Sequence, residues 1–593
     1  MGGRLQRLQR LQHSRSGCVA IRRIAQFWRA NTELVAGQAP ILVLAFLISG
    51  SPVQAASADN PPVAVVGDVI GLQARRTVSD TEQNDKRQLI NLNPTIGAQY
   101  IYQDGKRRWH LQLGAGANAA LHDGKLRFRV GAGVTRWCDL SPALNNLAKH
   151  QRTAPYAAIC GGAVLVRQRQ NGWKPGIAKH AEMLRSWGTW TESLINGYKD
   201  LRSELGLVGD DAEVHKVAPA TPRHTNVRGA DLRENARQTA LSAYNLGLRM
   251  DGVEANSVPP GVWHRAQNFE DVWVSVITLQ QIQRDIFDTH KDRVHPLSAN
   301  NGAAQRDHMV YLVAFDLARY TLGWMHGTEH PGVGWSSRSK LPRDNPRGPE
   351  GFGKLDPLQP TGAVSPHLVP FVVGTFSGGF QRKHGAFRRG ERAKSRKAHH
   401  YGFVEDGVVL STPQPSLATV MVGLDGHTML REWKIEDAGE LARYRYVRQN
   451  GVPIIEDGGP DTVGIPGPLV SNWVAGNWSG SVDRQLMTPR ATGCLLEEDG
   501  RRLFIYGFFS GHTPSGMARV LQAYRCDYAL HLDMNSAGQA YFSLFNRGKD
   551  AVQFNVEHLV KSMAMVDGWI GKNRTPRFLL KADYKDFFFI KRR

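Results

Sequence analysis

The stretch Thr513-Pro-Ser-Gly-Met-Ala-Arg-Val-Leu-Gln-Ala-Tyr524, followed by Cys526-Asp-Tyr-Ala-Leu-His-Leu-Asp-Met-Asn535, decides how the C-terminal part of this chain folds. Thr is a favoured helix N-cap and Pro suits the first helical position, so the first segment predicts an α-helix. The second segment is apolar until Asp533 and Asn535, which predicts a buried strand ending on a carboxylate and an amide. Polar groups at the carboxyl end of a buried strand are well placed for a functional site.

Further strand patterns precede this helix. Leu368-Val-Pro-Phe-Val-Val-Gly-Thr-Phe-Ser-Gly-Gly-Phe380 predicts a buried strand that ends on a double glycine and an aromatic ring. The stretch 401–410 predicts a strand, a turn and a strand, and 502–507 predicts one more. Together with the helix, these patterns predict a mixed α/β domain over residues 366–593.

The N-terminal part has a different pattern, in which apolar and polar residues alternate. The alternation covers 99–103, 109–113 and 126–130, and Asp104-Gly105 and Asp123-Gly124 interrupt it. Alternation broken by Asp-Gly is typical of antiparallel hairpins. A β-rich module is therefore predicted over residues 56–200.

The middle of the chain has apolar residues at helical spacing. Three amphipathic segments, 232–246, 269–290 and 307–324, predict a helical accessory region over residues 201–335. Residues 336–365 are rich in Pro, Gly and charge, which is typical of a linker. The predicted fold class is α+β: a β-rich N-terminal module, a helical middle region and a mixed α/β C-terminal domain.

Residues 1–55 have the three parts of a secretory signal. Seven arginines precede the apolar run 39–50, and Val53-Gln54-Ala55 resembles a cleavage site. The apolar run is about half the length that spans a membrane, roughly 20 residues. We expect export to the periplasm or the extracellular space, without a stable transmembrane span after cleavage. An uncleaved N-terminal membrane anchor and twin-arginine export are the alternatives.

Four cysteines remain after removal of the signal, and an exported chain permits two disulfides. Neighbours in sequence suggest the pairs Cys138–Cys160 and Cys494–Cys526, although four cysteines allow three connectivities. Free buried thiols are the alternative. No motif supports a structural zinc site.

The charge balance favours an anionic partner. The chain has 74 Lys+Arg against 53 Asp+Glu, a formal net charge of +21, and removing the signal leaves it basic. The densest basic run lies between Gly379 and Tyr401 and includes His384. This run is either a mobile cover that attracts an anionic glycan or a solvated surface loop. Nucleic acid is excluded as the expected partner, because no aromatic residues interleave densely with these bases and the chain has an export signal.

The order of motifs in the last third resembles the phosphodiester glycosidase family over about residues 365–550. The motifs are Phe-Ser-Gly-Gly-Phe380, Tyr-Gly-Phe-Val-Glu-Asp-Gly407, Arg490-Ala-Thr-Gly493, Tyr-Gly-Phe-Phe-Ser-Gly-His-Thr513 and Leu532-Asp-Met-Asn535. Two positions depart from the family pattern: Ser377 stands where Asn is usual, and Met534-Asn535 stands where Gly-Gly is commonest.

The resemblance implies a site for a sugar-1-phosphodiester. Asp533 is the expected catalytic carboxylate, and Arg490 is expected to bind phosphate through its planar guanidinium. Gly378 and Gly379 would let the backbone approach the ligand, and Thr513 would place a helix N-terminus near the anion. The remaining expected substrate-binding residues are Phe380, His384 and Asn535.

Each of these roles has a structural alternative. Asp533 is otherwise a group that caps or hydrogen-bonds the neighbouring loop, Arg490 a member of a structural ion pair, and Thr513 a plain N-cap. The double glycine is otherwise only a tight exit from a strand. These alternatives stay open at the level of sequence.

A second catalytic carboxylate is not assigned. Glu405, Asp406, Glu456 and Asp457 are candidates, although the Glu-Asp-Gly segments also suit turns. The acids at 456–461 could also bind a calcium ion, but their spacing does not match a standard loop. No cofactor is predicted.

The expected function is that of an exported hydrolase of glycosidic phosphodiester or related sugar linkages in envelope or extracellular glycans. Its expected partner is an anionic or phosphorylated glycan. The alternative is a non-catalytic protein that binds polysaccharide or the cell envelope through the same cleft.

Overall fold

The computed structural model describes most of the chain beyond the predicted signal. The described residues are 69–80, 87–131, 136–148, 154–175, 213–216, 227–296, 305–330, 355–379, 402–459, 463–471, 487–548 and 553–593. They belong to one unit, Pro62–Arg593. The predicted signal at 1–55 lies outside them.

Strands dominate the described residues. The first group is β1 (Thr77–Asp80), β2 (Arg87–Asn91), β3 (Gln99–Asp104), β4 (Arg107–Leu113), β5 (Asn118–His122), β6 (Lys125–Val130), β7 (Arg136–Asp139), β8 (Tyr156–Ile159), β9 (Val164–Arg167) and β10 (Glu213–Lys216). The second group is β11 (Thr239–Ser242), β12 (His264–Arg265), β13 (Val272–Ile277), β14 (Val310–Asp316), β15 (Tyr320–Met325), β16 (Val372–Ser377), β17 (Phe403–Glu405), β18 (Val408–Ser411), β19 (Ala418–Gly423), β20 (Thr428–Glu432) and β21 (Tyr444–Gln449). The third group is β22 (Pro453–Glu456), β23 (Ile465–Pro466), β24 (Thr488–Glu498), β25 (Arg501–His512), β26 (Tyr528–Met534), β27 (Phe542–Arg547), β28 (Phe554–His558), β29 (Gly568–Ile570), β30 (Asn573–Thr575) and β31 (Phe587–Arg592).

Helices are few and short in the same part of the chain. The α-helices are α1 (Leu140–Ala148), α2 (Arg284–Asp288) and α3 (Pro514–Ala523). The 3₁₀ helices are Cys160–Gly162, Glu234–Gln238, Leu279–Gln281, Ile435–Arg443 and Lys561–Val566. Within the described ranges, no helix has the length and apolar character that a membrane crossing requires.

The strands pair antiparallel in several sheets. The largest has eight strands in the order β12-β13-β14-β25-β24-β26-β22-β23. Two five-stranded sheets have the orders β15-β31-β16-β27-β28 and β18-β17-β21-β19-β20. A six-stranded sheet, β1-β2-β3-β4-β9-β8, and a three-stranded sheet, β5-β6-β7, form the N-terminal part, and the pairs β10-β11 and β29-β30 complete the set.

The predicted helical middle region is wrong, and so is the α+β class that depended on it. Residues 232–246, 269–290 and 307–324 contain strands β11, β13, β14 and part of β15, with only short helical segments. In β14, Val310 and Leu312 pack on one core, while Tyr311 and Val313 pack on another. Because both faces of this strand are covered, nearly every position is apolar, and the period of two that marks a strand is lost.

The C-terminal part is also strand-rich and antiparallel rather than mixed α/β. Its longest described α-helix, α3, lies where the sequence predicts it, and Thr513 caps it by accepting a hydrogen bond from the Gly516 N–H at 3.1 Å. The helix packs into the second core, against the eight-stranded sheet. The strand after it, β26, is fully buried and ends one residue after Asp533, as predicted. The domain boundaries themselves stay a prediction.

The hairpins predicted from Asp-Gly are confirmed. Strands β3 and β4 pair across Gly105, and β5 and β6 pair across Asp123-Gly124. Asp123 and Gly124 have φ angles of 52° and 68°, the left-handed conformation that a tight hairpin turn requires.

Both predicted disulfides are present, Cys138–Cys160 and Cys494–Cys526. In the second, Cys494 belongs to β24 and Cys526 lies two residues before β26. These two strands are neighbours in the eight-stranded sheet. Two disulfides fit an oxidising compartment, such as the periplasm or the extracellular space.

A buried ion pair joins three of the sheets. Glu405 at the end of β17 accepts a hydrogen bond from Arg167 of β9 at 2.6 Å, and His326, just after β15, contacts its other oxygen. Burial raises the pKa of Glu405, but Arg167 and His326 outweigh that effect and bring the pKa well below its ordinary value. The carboxylate is therefore charged, and Arg167 is its principal counter-ion.

Replacing Arg167 should be costly, because it leaves Glu405 buried without its main counter-ion. We expect Arg167→Met to lower the free energy of unfolding by about 3–5 kcal/mol, measured by urea denaturation at neutral pH. The matched control is Arg443→Met, whose ion pair with Glu440 is largely exposed; it should change the free energy by less than about 1 kcal/mol. Equal effects of the two substitutions would contradict this account of the core.

Candidate functional site

The ends of five strands meet in one buried polar cluster. These ends are the carboxyl ends of β15, β16, β21 and β26 and the amino end of β31. The members of the cluster are Trp324, Gly378, Arg448, Asn450, His531, Asp533, Lys585 and Asp586. We refer to these residues as the strand-end cluster. It brings the predicted Asp533 and Gly378 together with residues that the sequence patterns did not indicate.

Asp533 forms an ion pair with Lys585. The side chain of Lys585 is 1% exposed and that of Asp533 is 10% exposed, so this contact is nearly shielded from water. Lys585 also donates a hydrogen bond to Gln539 Oε1 at 3.0 Å. Burial lowers the pKa of Lys585 to about 7, whereas the Asp586 carboxylate opposes that shift and Arg448 adds to it. The ammonium therefore loses its charge near pH 7.

Asp586 connects two sheets at this point. Its Oδ2 accepts hydrogen bonds from Arg448 Nε at 2.8 Å and from Trp324 Nε1 at 3.1 Å. Its backbone oxygen accepts from the Gly378 N–H at 2.9 Å. Both side chains of the Arg448–Asp586 pair are buried, at 1% and 0% exposure. Because Asp586 is held by these contacts, its chain neighbour Lys585 is held in position as well.

The two glycines leave room for this cluster. A Cβ atom on Gly378 would lie 2.2 Å from Asp586 Oδ2, and one on Gly379 would lie 2.5 Å from Asn450 Nδ2. Asn450 in turn donates a hydrogen bond to the backbone oxygen of His531 in β26. Close backbone approach is therefore what the double glycine provides, and the side chains approached are Asp586 and Asn450.

Arg490 contacts His531 of the cluster and is 0% exposed. Its Nε donates to the backbone oxygen of His512 at 2.8 Å, and its Nη1 lies 3.2 Å from His531 Nε2 and 3.6 Å from Met534 Sδ. His531 Nδ1 faces the carbonyl of Leu532 at 2.6 Å and must donate to it, so Nε2 accepts from Arg490. Burial and Arg490 both lower the pKa of His531 well below its ordinary value, which keeps the ring neutral.

The burial of Arg490 bears on its predicted role. Burial lowers the pKa of its guanidinium to about 9, and the hydrogen bonds described above go to protein atoms. In this arrangement Arg490 positions β26 and His531. Direct contact with phosphate stays a prediction.

Thr513 and Asn535 are each linked to the chain around Arg490, Thr513 through its neighbour His512 and Asn535 through Pro489. Thr513 is buried and caps α3, and its hydroxyl also donates to Gln305 at 3.2 Å. Asn535 is exposed, has a φ angle of 85°, and donates its N–H to the Pro489 oxygen at 2.7 Å. That left-handed conformation favours Gly and tolerates Asn.

Phe380 and His384 lie outside the described residues, as does the basic run that contains His384. Their predicted substrate-binding roles therefore stay predictions.

Each of the four candidate second carboxylates has a protein partner in the structure. Glu405 belongs to the buried pair described above, and Asp406 pairs with Arg445 at 2.7 Å. Glu456 contacts Arg293, and Asp457 accepts from the Gly459 N–H at 2.9 Å in a turn. Over the described ranges, no group of three or more His, Cys, Asp or Glu is arranged to hold a metal ion. Calcium binding by the acids at 456–461 is not tested, because Asp461 lies outside the described residues.

Sequence reasoning missed Lys585, Asp586, Arg448 and Asn450. The available signal was Asp583-Tyr-Lys-Asp586, a charged stretch directly before the apolar strand Phe587-Phe-Phe-Ile590. Charged residues adjoining a wholly buried strand must be paired or functional, because burial of an isolated charge is costly.

No protein-family model and no curated protein matches the chain. Among solved structures, it is similar to the catalytic domain of zebrafish N-acetylglucosamine-1-phosphodiester alpha-N-acetylglucosaminidase, auto-inhibited by its pro-peptide. That match has 11% identity and a TM-score of 0.27, and covers 65% of this chain and 89% of that one. A protein of Burkholderia pseudomallei K96243 described as exported matches with 10% identity and a TM-score of 0.20, covering 48% of this chain and 74% of that one. At these TM-scores the likeness is weak and carries no argument about activity.

Gly378→Ala tests the packing of the strand-end cluster. The new Cβ would overlap Asp586 Oδ2, so we expect a loss of about 1–3 kcal/mol in the free energy of unfolding. Gly439→Ala is the control, since its Cβ would meet no atom within 4 Å, and it should be neutral or stabilising by up to about 1 kcal/mol. Urea denaturation measures both, and a neutral Gly378→Ala would show that Asp586 is not held as described.

Proposed function

We propose that this protein is an exported hydrolase of glycosidic phosphodiester or related sugar linkages, and that the strand-end cluster is its active site. The observation that carries the proposal is the pair of Asp533 and Lys585, a carboxylate at a strand end held against a buried lysine. The order of motifs around Ser377, Arg490 and Asp533 supports the same class of reaction through its resemblance to phosphodiester glycosidases.

In the proposed reaction, water attacks the anomeric carbon of the sugar. Asp533 accepts the proton of that water as general base, while the bond between the anomeric carbon and the phosphate oxygen breaks. The phosphate leaves with the bonding electron pair, so the products are a reducing sugar and a phosphate monoester. A phosphate is a stable leaving anion, which lessens the need for a second carboxylate as general acid.

Lys585 serves two purposes in this proposal. Its ammonium orients the Asp533 carboxylate, and its positive charge in a site shielded from water favours an anionic substrate. Asp586 and Gln539 fix the lysine, and Arg490 with His531 fixes the strand that carries Asp533.

A non-catalytic polysaccharide-binding protein is the second candidate. The burial of Arg490 favours it, because the guanidinium hydrogen-bonds protein atoms and is shielded from the surface. A ligand would then be bound at the surface of the cluster without bond cleavage.

Asp533→Asn tests whether the carboxylate is catalytic. Turnover of a panel of sugar-1-phosphodiesters, including synthetic aryl sugar phosphodiesters, should fall by about 100-fold or more, because the amide cannot accept the proton. The assay is run with and without chelator, and below the melting temperature of the variant, since the substitution also removes the partner of Lys585. Asp457→Asn, a turn carboxylate, is the matched control and should keep full turnover. Glycan binding without turnover by the wild type would favour the second candidate.

The charge of Lys585 predicts a pH dependence. An amine is charged below its pKa and neutral above it, so kcat/KM should fall as the pH rises through about 7. Lys585→Arg keeps the charge throughout this range and should move that fall to higher pH, whereas Lys585→Met should abolish turnover at every pH. Initial rates between pH 5 and 10 measure this, and identical alkaline limbs for wild type and Lys585→Arg would exclude Lys585 as the titrating group.

A further inference from the structure

A second basic feature, which shares no residue with the strand-end cluster, lies beside helices α2 and α3. It is a cavity of about 430 Å³ whose lining includes Arg233, Arg284, His295, Arg306 and Arg519. That volume is in the range of small-molecule sites. Asp288 is the one carboxylate among the described lining residues, and it pairs with Lys291 at 2.7 Å. We refer to this feature as the arginine cavity.

Two of the arginines are anchored by backbone carbonyls. Arg519 of α3 donates from Nη1 to the Ile286 oxygen at 2.6 Å and from Nη2 to the Thr289 oxygen at 2.9 Å. Arg233 donates from Nε to the Ile282 oxygen at 2.8 Å. These bonds fix the guanidinium planes and join α2 to α3. The cavity wall is therefore held in place before any ligand binds.

The other two arginines are not neutralised within the described part of the chain. The side chains of Arg284 and Arg306 make no hydrogen bond or ion pair with a described residue. Burial lowers the pKa of Arg233, and the charges of Arg284 and Arg306 lower it further, so each of these two guanidinium groups repels that of Arg233. Like charges held together are unfavourable unless an anion lies between them.

An apolar surface adjoins the charged one. Leu279 is buried and Phe287 partly buried, and with Pro296 they line the same cavity. An oxyanion alone would leave much of the 430 Å³ unfilled. The combination suits a ligand with a doubly charged oxyanion at one end and a ring at the other, because guanidinium groups match phosphate oxygens and an aromatic side chain packs against a sugar ring.

We propose that the arginine cavity binds a phosphorylated sugar, with the phosphate held by Arg233, Arg284 and Arg306 and the sugar ring lying against Phe287. The proposal does not depend on hydrolysis at Asp533, since none of the cavity residues belongs to the strand-end cluster. The phosphorylated sugar is either a free sugar phosphate or a phosphate-bearing unit of a glycan chain.

The test is isothermal titration of the full-length protein with four probes. These are inorganic phosphate, glucose 6-phosphate, glucose, and a mannan that carries phosphate monoesters. We expect saturable binding of glucose 6-phosphate, weaker binding of inorganic phosphate and none of glucose. Binding of the mannan in addition would identify a chain-borne ligand, and its absence a free sugar phosphate.

The variant for this test is Arg284→Ala combined with Arg306→Ala. It should weaken glucose 6-phosphate binding by about tenfold or more, because two charged hydrogen-bond donors are lost. Without ligand at low salt, its melting temperature should equal or exceed that of the wild type, since repulsion is relieved, and added salt should shrink the difference. Hydrolytic turnover should be unchanged, so failure here and failure of the proposed hydrolase give different results.

Two outcomes would overturn the proposal. One is that wild-type protein shows no saturable binding of glucose 6-phosphate. The other is that the double variant binds it as tightly as the wild type, or melts at a lower temperature at low salt, as residues with a purely structural role would. Arg443→Ala, an exposed arginine elsewhere, controls for the general loss of positive charge.

Discussion

The burial of Asp586 is the constraint on which the candidate site depends. This carboxylate has no exposure to water and is stabilised by Arg448 and Trp324, which come from two different sheets. A buried carboxylate without such partners would be strongly disfavoured, so the sheets must meet at this point. The same segment places Lys585 against Asp533. Because residue 378 is a glycine, it has no Cβ atom that would overlap the Asp586 side chain.

The molecule combines neutralised charges in its interior with unbalanced positive charge at its surface cavity. Buried pairs such as Arg167–Glu405 and Arg448–Asp586 join different sheets, which makes the sheet contacts specific. The arginine cavity differs, because the guanidinium groups in its lining outnumber the carboxylates and leave a net positive charge. Part of the formal net charge of +21 is therefore concentrated at this cavity.

Local patterns predicted the features that depend on neighbours in sequence. The N-cap at Thr513, the strand that ends near Asp533, the Asp-Gly hairpins and both disulfide pairs could be read from short stretches, because each depends on backbone propensity or short spacing. The strands between 232 and 324 could not be predicted from such local patterns. In β13 and β14 the apolar periodicity was altered by cores on both faces, and no local rule reveals how many faces of a strand are covered.

The sequence by itself determined that Asp533 and Asn535 lie at the end of a buried strand, that a double glycine ends another, and that the chain is strongly basic. Only the tertiary structure decided that Asp533 is paired with Lys585, 52 positions later in the chain, and that Arg490 lies wholly beneath the surface. The physical reason is that burial and charge pairing are properties of three-dimensional neighbours. A side chain's type fixes what it can donate or accept, and the packing of sheets fixes which partner it meets.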